Sequence, residues 1–113
     1  MSRFVLLAAL SACALLSASM RLHDSGVKMD WDSAVEYCRS LDAYVPPLNA
    51  MDAAFRDSYL SARGQSPYQR EIYWTSDQAD IEGAYAYDFS SGLHLVDHKA
   101  NKYRAMCIQS EQY

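Results

Sequence analysis

The chain has 113 residues, which is enough for one small domain, and its formal net charge at pH 7 is −4. Arg3 is the only charged residue among the first 19, and the remainder carries nine basic and fourteen acidic side chains. This acidic balance, without any basic run, argues against nucleic acids, heparin-like polyanions and anionic membrane surfaces as partners.

Residues 1–19 have the pattern of an export signal. Arg3 precedes an uncharged apolar run, and Ser17 and Ser19 supply the small side chains that cleavage after Ser19 requires. Two alternatives stay open: Cys13, in the lipobox-like sequence Leu-Ser-Ala-Cys, is a candidate for lipidation, or the segment remains as an uncleaved anchor. The apolar run is shorter than the roughly 20 residues that span a membrane. Each alternative puts the rest of the chain outside the cytoplasm.

Segment 20–113 is expected to form a single domain, which starts with an edge strand or an irregular lead-in. A turn signal, Asp24-Ser25-Gly26, lies within this lead-in. The lead-in is expected to end at about Lys28, just before the first helix.

The first helix is predicted from its N-cap, Asp30, to about Asp42. Asp30 can accept a hydrogen bond from a free backbone N–H, and Asp32 adds negative charge at the positive end of the helix dipole. Apolar residues recur at helical spacing and form one stripe, which predicts an amphipathic helix that buries Cys38. The stripe consists of Trp31, Ala34, Val35, Cys38 and Leu41.

A second helix is predicted after a stiff connector that contains Pro46 and Pro47. It is expected to begin at Asn49 as N-cap, to end at about Arg63, and to be followed by Gly64 at the C′ position. Its predicted inner face is formed by Met51, Ala54, Phe55, Tyr59 and Ala62.

After Gly64 the pattern changes from helical spacing to the alternation of strands. Strands are predicted at 72–76, 84–89, 93–98 and 103–109, separated by a loop at 77–83, a hairpin turn at 90–92 and a turn at 99–102. Two helices followed by a small antiparallel meander make an α+β fold.

Cys38 and Cys107 are the two cysteines outside the first 19 residues. In an exported protein, an even pair favours a disulfide, which for a loop of this length would contribute roughly 4 kcal/mol in the chain-entropy description. Two unpaired buried thiols are the alternative. A catalytic cysteine is disfavoured, because neither residue has a histidine nearby in a recognisable arrangement.

The helix pattern Trp-x-x-Ala-x-x-Tyr-Cys-x-x-Leu, between Trp31 and Leu41, resembles the first helix of C-type-lectin-like domains. In that fold a cysteine of the first helix bonds to one on the last strand, which implies the pair described above. The second half resembles the compact bacterial branch of the fold, found in exported proteins and at the C-terminus of some collagen-like adhesins. The matching pieces are Tyr73-Trp74-Thr75-Ser76, the strand from Tyr85 that ends in Phe89-Ser90-Ser91-Gly92, and Arg104 with Cys107.

The calcium-binding signatures of sugar-binding members are absent from this sequence. There is no Glu-Pro-Asn or Gln-Pro-Asp tripeptide and no Trp-Asn-Asp, and the segment between Trp74 and Cys107 leaves little room for the long loop that carries them. We therefore expect neither calcium-dependent sugar binding nor any cofactor.

Catalytic patterns are equally absent, so no enzymatic activity is predicted. His94 and His98 lie on one face of a predicted strand but roughly 13 Å apart, which is too far to share a metal. The remaining histidine, His23, has no recognisable partner, and there is no Gly-x-Ser-x-Gly, phosphate-binding loop or metal-spaced cysteine set.

Nine tyrosines and two tryptophans exceed what a thin core must bury, which favours an interface. Trp31 and Trp74 are expected in the core. The candidate contacts for a ligand or partner flank the strand around Tyr73, with ordinary polar loops as the alternative interpretation. They are Tyr68, Arg70, Asp77, Gln78, Asp80 and Glu82.

Together these patterns predict an exported, non-catalytic binding module that recognises a protein or glycan in the bacterial envelope or outside the cell. A periplasmic inhibitor or immunity-type protein, or an assembly factor that binds one protein partner, is the alternative. Beyond a lipid anchor at Cys13, no membrane contact is expected.

Overall fold

The computed structural model describes residues 20–60, 68 and 70–110. Within this part of the chain, five strands and two helices follow one another in the order expected for an α+β fold, and the predicted fold class is confirmed. The elements are β1 (Met20–Met29), α1 (Trp31–Ser40), α2 (Leu48–Leu60), β2 (Ile72–Gln78), β3 (Gly83–Asp88), β4 (Leu93–His98) and β5 (Tyr103–Ser110).

The strands form one sheet with the order β1-β5-β2-β3-β4. As predicted, β2, β3 and β4 form an antiparallel meander. The strand β5 does not extend that meander: it pairs antiparallel with β1, and parallel with β2 where Arg104 lies opposite Tyr73. Local periodicity locates each strand but carries no information about its neighbours, so the insertion of β5 is a finding of the structure.

The lead-in is the edge strand β1, and its turn signal forms a bulge inside the strand. The register with β5 shifts between Asp24 and Lys28, and Gly26 has a φ of 74°. Asp24 stabilises the bulge, because its Oδ1 accepts a hydrogen bond from the Gly26 N–H at 2.8 Å.

Helix α1 begins as the sequence predicts, since Asp30 Oδ1 accepts from the Ser33 N–H at 2.8 Å. It ends at Ser40, before the predicted Asp42. After Ser40 the chain forms a tighter turn, in which the N–H of Asp42 donates to the carbonyl of Arg39, three residues back. Asp42 itself has a φ of 55°, which does not continue a right-handed helix.

Helix α2 begins at Leu48, so the prediction of Asn49 as its N-cap is wrong. The carbonyl of Pro47 accepts the first helical hydrogen bonds, and the Leu48 N–H donates at 2.8 Å to Asp77 Oδ2, at the end of β2. The side chain that caps α2 therefore comes from strand β2. Of the other predicted residues, Ala62, Arg63, Gly64 and the side chain of Tyr59 lie outside the described residues.

Two apolar clusters pack on opposite faces of the sheet. Adjacent strand residues alternate between them, so that Trp74 lies in the α1 cluster and Tyr73 in the α2 cluster. Both tryptophans are buried, as predicted. The α1 cluster contains Trp31, Ala34, Cys38, Val45, Trp74, Ala84, Ala86, Ala105 and Cys107, and the α2 cluster contains Met51, Tyr68, Tyr73, Tyr87, Phe89 and Met106.

The predicted disulfide is present and fully buried. It joins Cys38 of α1 to Cys107 of β5, with 5.2 Å between the two Cα atoms. The bond therefore attaches the first helix to a strand that lies inside the sheet.

Candidate functional site

The residues predicted to contact a ligand lie in different parts of the molecule. Tyr68 and Arg70 precede β2, whereas Asp77 and Gln78 end that strand and Asp80 and Glu82 follow it. Since β2 is seven residues long, its two ends are separated by roughly 20 Å. The six residues therefore do not form one surface.

Tyr68 lies in the α2 cluster and only 7% of it is exposed. Its ring stacks on that of Phe89, with centroids 4.1 Å apart, and meets Tyr73 edge-on. Burial raises the pKa of Tyr68 to about 12. Its position is that of a core residue, which the polar composition of the surrounding loop gives no reason to expect.

Arg70 is exposed and lines a hollow of about 240 Å³ at the beginning of β2. Lys28, Asp88 and Tyr103 line the same hollow. The charges there are mixed, because Glu71 and Asp88 line the hollow together with the two cations, so it favours no single ligand charge.

Asp77 and Gln78 have local partners at the other end of β2. Asp77 caps α2 through Leu48, as described above. The Oε1 of Gln78 accepts from Lys99 Nζ at 2.6 Å, and the same ammonium group lies 4.4 Å from the ring centre of Trp31. Both side chains therefore stabilise the fold.

The loop after β2 is held rigidly by its own backbone and by Asp80. The Oδ1 of Asp80 accepts from the N–H groups of Glu82 at 2.9 Å and Gly83 at 2.6 Å. The Gly83 carbonyl accepts from Ala79 and Asp80, and the Glu82 carbonyl accepts from Lys99. These bonds fix the direction in which the tip of the loop points.

The side chain at that tip is Ile81, which is 90% exposed. Val96 of β4 is 53% exposed, and its Cγ1 lies near Gly83, two residues after Ile81. A shallow hollow of about 350 Å³ opens here. We call this region, together with Ile81, the acidic loop surface; its residues are Asp80, Ile81, Glu82, Val96, Asp97 and His98.

The ring of His98, at the edge of the acidic loop surface, is held by a hydrogen bond that selects one tautomer. The Ala100 N–H donates to its Nδ1 at 3.0 Å, so the proton of the neutral ring is on Nε2. Nε2 lies 3.3 Å from Glu82 Oε1 and can donate to it. The ring thus joins the end of β4 to the loop.

Asp97 keeps its negative charge at this surface. It accepts hydrogen bonds from the Tyr103 hydroxyl, from the Asn101 side-chain amide at 2.6 Å and from the His98 N–H at 2.7 Å. These bonds, that from Tyr103 first, lower the pKa of Asp97, while burial and the carboxylate raise the pKa of Tyr103 to about 12.

The Asp97→Asn variant should be less stable than the wild type at pH 7, with a smaller difference in acid. A carboxyl group whose pKa is lowered by folding stabilises the native state above its unfolded pKa of about 3.9, and this stabilisation is lost as the pH falls through the native value. Urea unfolding of both proteins at pH 7 and pH 3 measures the effect. An equal difference at the two pH values would contradict it.

Two of the carboxylates at this surface already accept hydrogen bonds from the chain itself. Asp80 Oδ1 is occupied by two backbone N–H groups, and both oxygens of Asp97 accept hydrogen bonds. Across residues 20–60, 68 and 70–110, no group of three His, Cys, Asp or Glu side chains is arranged to hold a metal ion. In the same part of the chain, neither helix has the length and hydropathy of a membrane span.

Sequence reasoning identified Asp80 and Glu82 but missed Ile81, Val96 and Asp97. A single apolar residue between two acidic ones is a usable signal for Ile81, because loops rarely have a structural need for isoleucine. The pairing of β3 with β4 was predicted, but the strand pattern alone does not show which residues of β4 lie next to the loop.

Comparisons with known proteins agree with this fold. A family model described as "Domain of unknown function (DUF8780)" matches residues 22–109. Among solved structures, TC14, a C-type lectin from the tunicate Polyandrocarpa misakiensis, is similar with a TM-score of 0.53 and 10% identity, over 83% of this chain and 100% of that one. At this identity the likeness shows the fold alone, which is C-type-lectin-like as predicted. No curated protein matches the chain.

Proposed function

The chain belongs to the DUF8780 family, and from the geometry of its residues we propose that it is a non-catalytic binding module for a protein partner. The partner docks on the acidic loop surface and presents a basic, partly apolar patch to it. The export pattern of residues 1–19 supports a location in the bacterial envelope or outside the cell.

The observation that carries this proposal is the exposure of Ile81 on a rigid loop. Five hydrogen bonds hold the loop, yet its one large apolar side chain is 90% exposed. A loop whose backbone is already fixed loses little conformational entropy on binding, and a central apolar residue within a polar rim is the usual anatomy of a protein interface.

The charge of the rim indicates the chemistry of the partner. Asp80, Glu82 and Asp97 provide three carboxylates in the same region as the exposed side chains of Ile81 and Val96, and the hydrogen bonds described above keep two of these carboxylates in place. Opposite charge on the partner would speed association and fix its orientation. A glycan ligand is supported by the fold alone, and an inhibitor, immunity-type protein or assembly factor would use the same surface.

Replacing Ile81 by serine should weaken partner binding at least about thirtyfold, which is typical of a central interface residue. The tagged full chain would first be used to isolate the partner from envelope extract, and the affinity of the purified pair would then be measured. Because Ile81 is exposed, the free energy of unfolding should change by less than about 0.5 kcal/mol.

Val27→Ser is the matched control, because Val27 is also an exposed apolar residue, 60% accessible, but lies in the bulge of β1. It should leave the affinity unchanged. Equal losses in both variants, no loss with Ile81→Ser, or binding to a glycan array without any protein partner would contradict the proposal. Stoichiometric inhibition of an enzymatic partner would identify the inhibitor alternative.

A further inference from the structure

We infer that the partner adds an extended strand to the outer edge of β4, and that this strand carries apolar and basic side chains in alternation. The inference rests on the proposed function, which locates the binding region to which the strand would be added. It concerns a different contact, however, because it involves the backbone of β4 and not the tip of the loop.

The edge of β4 is more suitable for pairing than the other edge of the sheet. Within the described residues, β4 has β3 on one side and no strand on the other. Its register with β3 is continuous, from Gly83 opposite His98 to Asp88 opposite Leu93. The opposite edge, β1, is interrupted by the bulge at 24–28, which is a known means of blocking edge-to-edge pairing.

The register also shows which backbone groups face outward. The Lys99 N–H donates to the Glu82 carbonyl at 2.8 Å, so these two residues form a hydrogen-bonded pair. Such pairs alternate along an antiparallel ladder, which directs the N–H and C=O groups of His94, Val96 and His98 towards the outer edge. The His98 N–H is taken by Asp97 Oδ1, and those of His94 and Val96 remain as donors for an added strand.

The side chains along β4 define the chemistry of that strand. Val96 is 53% exposed and lies on the opposite face of the sheet from Asp97, because adjacent strand residues alternate between the two faces. Asp97 and Glu82 provide negative charge at the end of the strand. Lysine or arginine on a partner strand would be attracted to these carboxylates.

A peptide of alternating lysine and valine, acetylated and amidated, is a direct probe. It would be titrated into the full chain while amide hydrogen exchange is measured residue by residue. We expect exchange at His94 and Val96 to slow at least tenfold at saturation. The control peptide has the same sequence with N-methyl groups on alternate residues, which keeps its charge but removes the donors that strand pairing needs.

Val96→Pro tests the same contact from the protein side. Proline removes the outward N–H of Val96 without removing a ladder bond to β3, and it is tolerated at such edge positions. Val96→Pro should weaken the binding of the lysine–valine peptide at least tenfold. Val96→Thr, which keeps the N–H, should weaken this binding threefold at most. If Val96→Pro does not fold, the N-methylated peptide still decides the question.

The inference is overturned if both peptides bind alike, if neither binds, or if the protected amides lie away from β4. It is also overturned if sedimentation shows a dimer that Val96→Pro abolishes, because the occupant would then be a second copy. If Ile81→Ser weakens binding of the protein partner but Val96→Pro does not, the proposed function stands and strand addition is wrong. If neither substitution has an effect, both fail.

Discussion

Replacing Cys38 and Cys107 together by alanine is expected to lower the free energy of unfolding by about 4 kcal/mol. The bond closes a loop between residues 69 positions apart, and restricting the unfolded chain over such a loop accounts for an effect of this size. Domains of this size have a total stability of only about 5–15 kcal/mol, so the variant should be close to unfolding at physiological temperature.

Urea denaturation of the oxidised protein, the reduced protein and the double variant measures this effect. Intact-mass spectrometry should find the oxidised protein lighter than the reduced one by two hydrogen atoms. The double variant is its own control, because a reducing agent should destabilise the wild type and leave the variant unchanged. Free thiols in the purified protein, or equal stability of variant and wild type, would contradict the prediction.

Trp74→Ala is expected to cost about 4 kcal/mol, as for other fully buried large aromatic residues. None of the Trp74 side chain is exposed, and its ring meets Tyr103 edge-on at 5.0 Å. The indole N–H donates to the carbonyl of Met29 at 2.8 Å. The substitution therefore leaves a cavity and also removes a hydrogen bond that links β2 to the end of β1.

Trp74→Phe separates these two contributions. It keeps most of the ring but leaves the Met29 carbonyl without its donor, so we expect a loss of about 1–3 kcal/mol. Far-UV circular dichroism should follow unfolding, because removing a tryptophan alters the fluorescence signal itself. A cost below about 1 kcal/mol for Trp74→Ala would show that the surrounding residues collapse into the space, which their dense packing makes unexpected.

Local features of the fold could be predicted because their causes are local. The stripe that begins at Trp31 and the capping side chain of Asp30 determine where α1 starts, and the turn before Leu93 determines the hairpin. The disulfide followed from the small number of cysteines. Each of these features depends on residues a few positions apart or on residue counts.

The features that could not be predicted depend on contacts between segments that are far apart in the sequence. The side chain that caps α2 belongs to Asp77, 29 residues away from Leu48, and no pattern around Asn49 could reveal it. Tyr68 was predicted as a contact residue because it flanks β2 in a loop region, yet it is covered by Phe89, which follows β3. For the candidate site, the acidic residues of the loop were visible in the sequence, but the exposure of Ile81 and Val96 depends on which side chains the folded chain covers.

The place of β5 in the sheet has a consequence for how the chain folds during synthesis. Residues Tyr103–Ser110 form the strand between β1 and β2, although they are made after every other strand described. Until they leave the ribosome, β1 has no partner, Cys38 has no Cys107, and the two halves of the sheet cannot join. Such long-range closure slows folding. The nascent chain therefore stays open until β5, the last of the described strands, has been made.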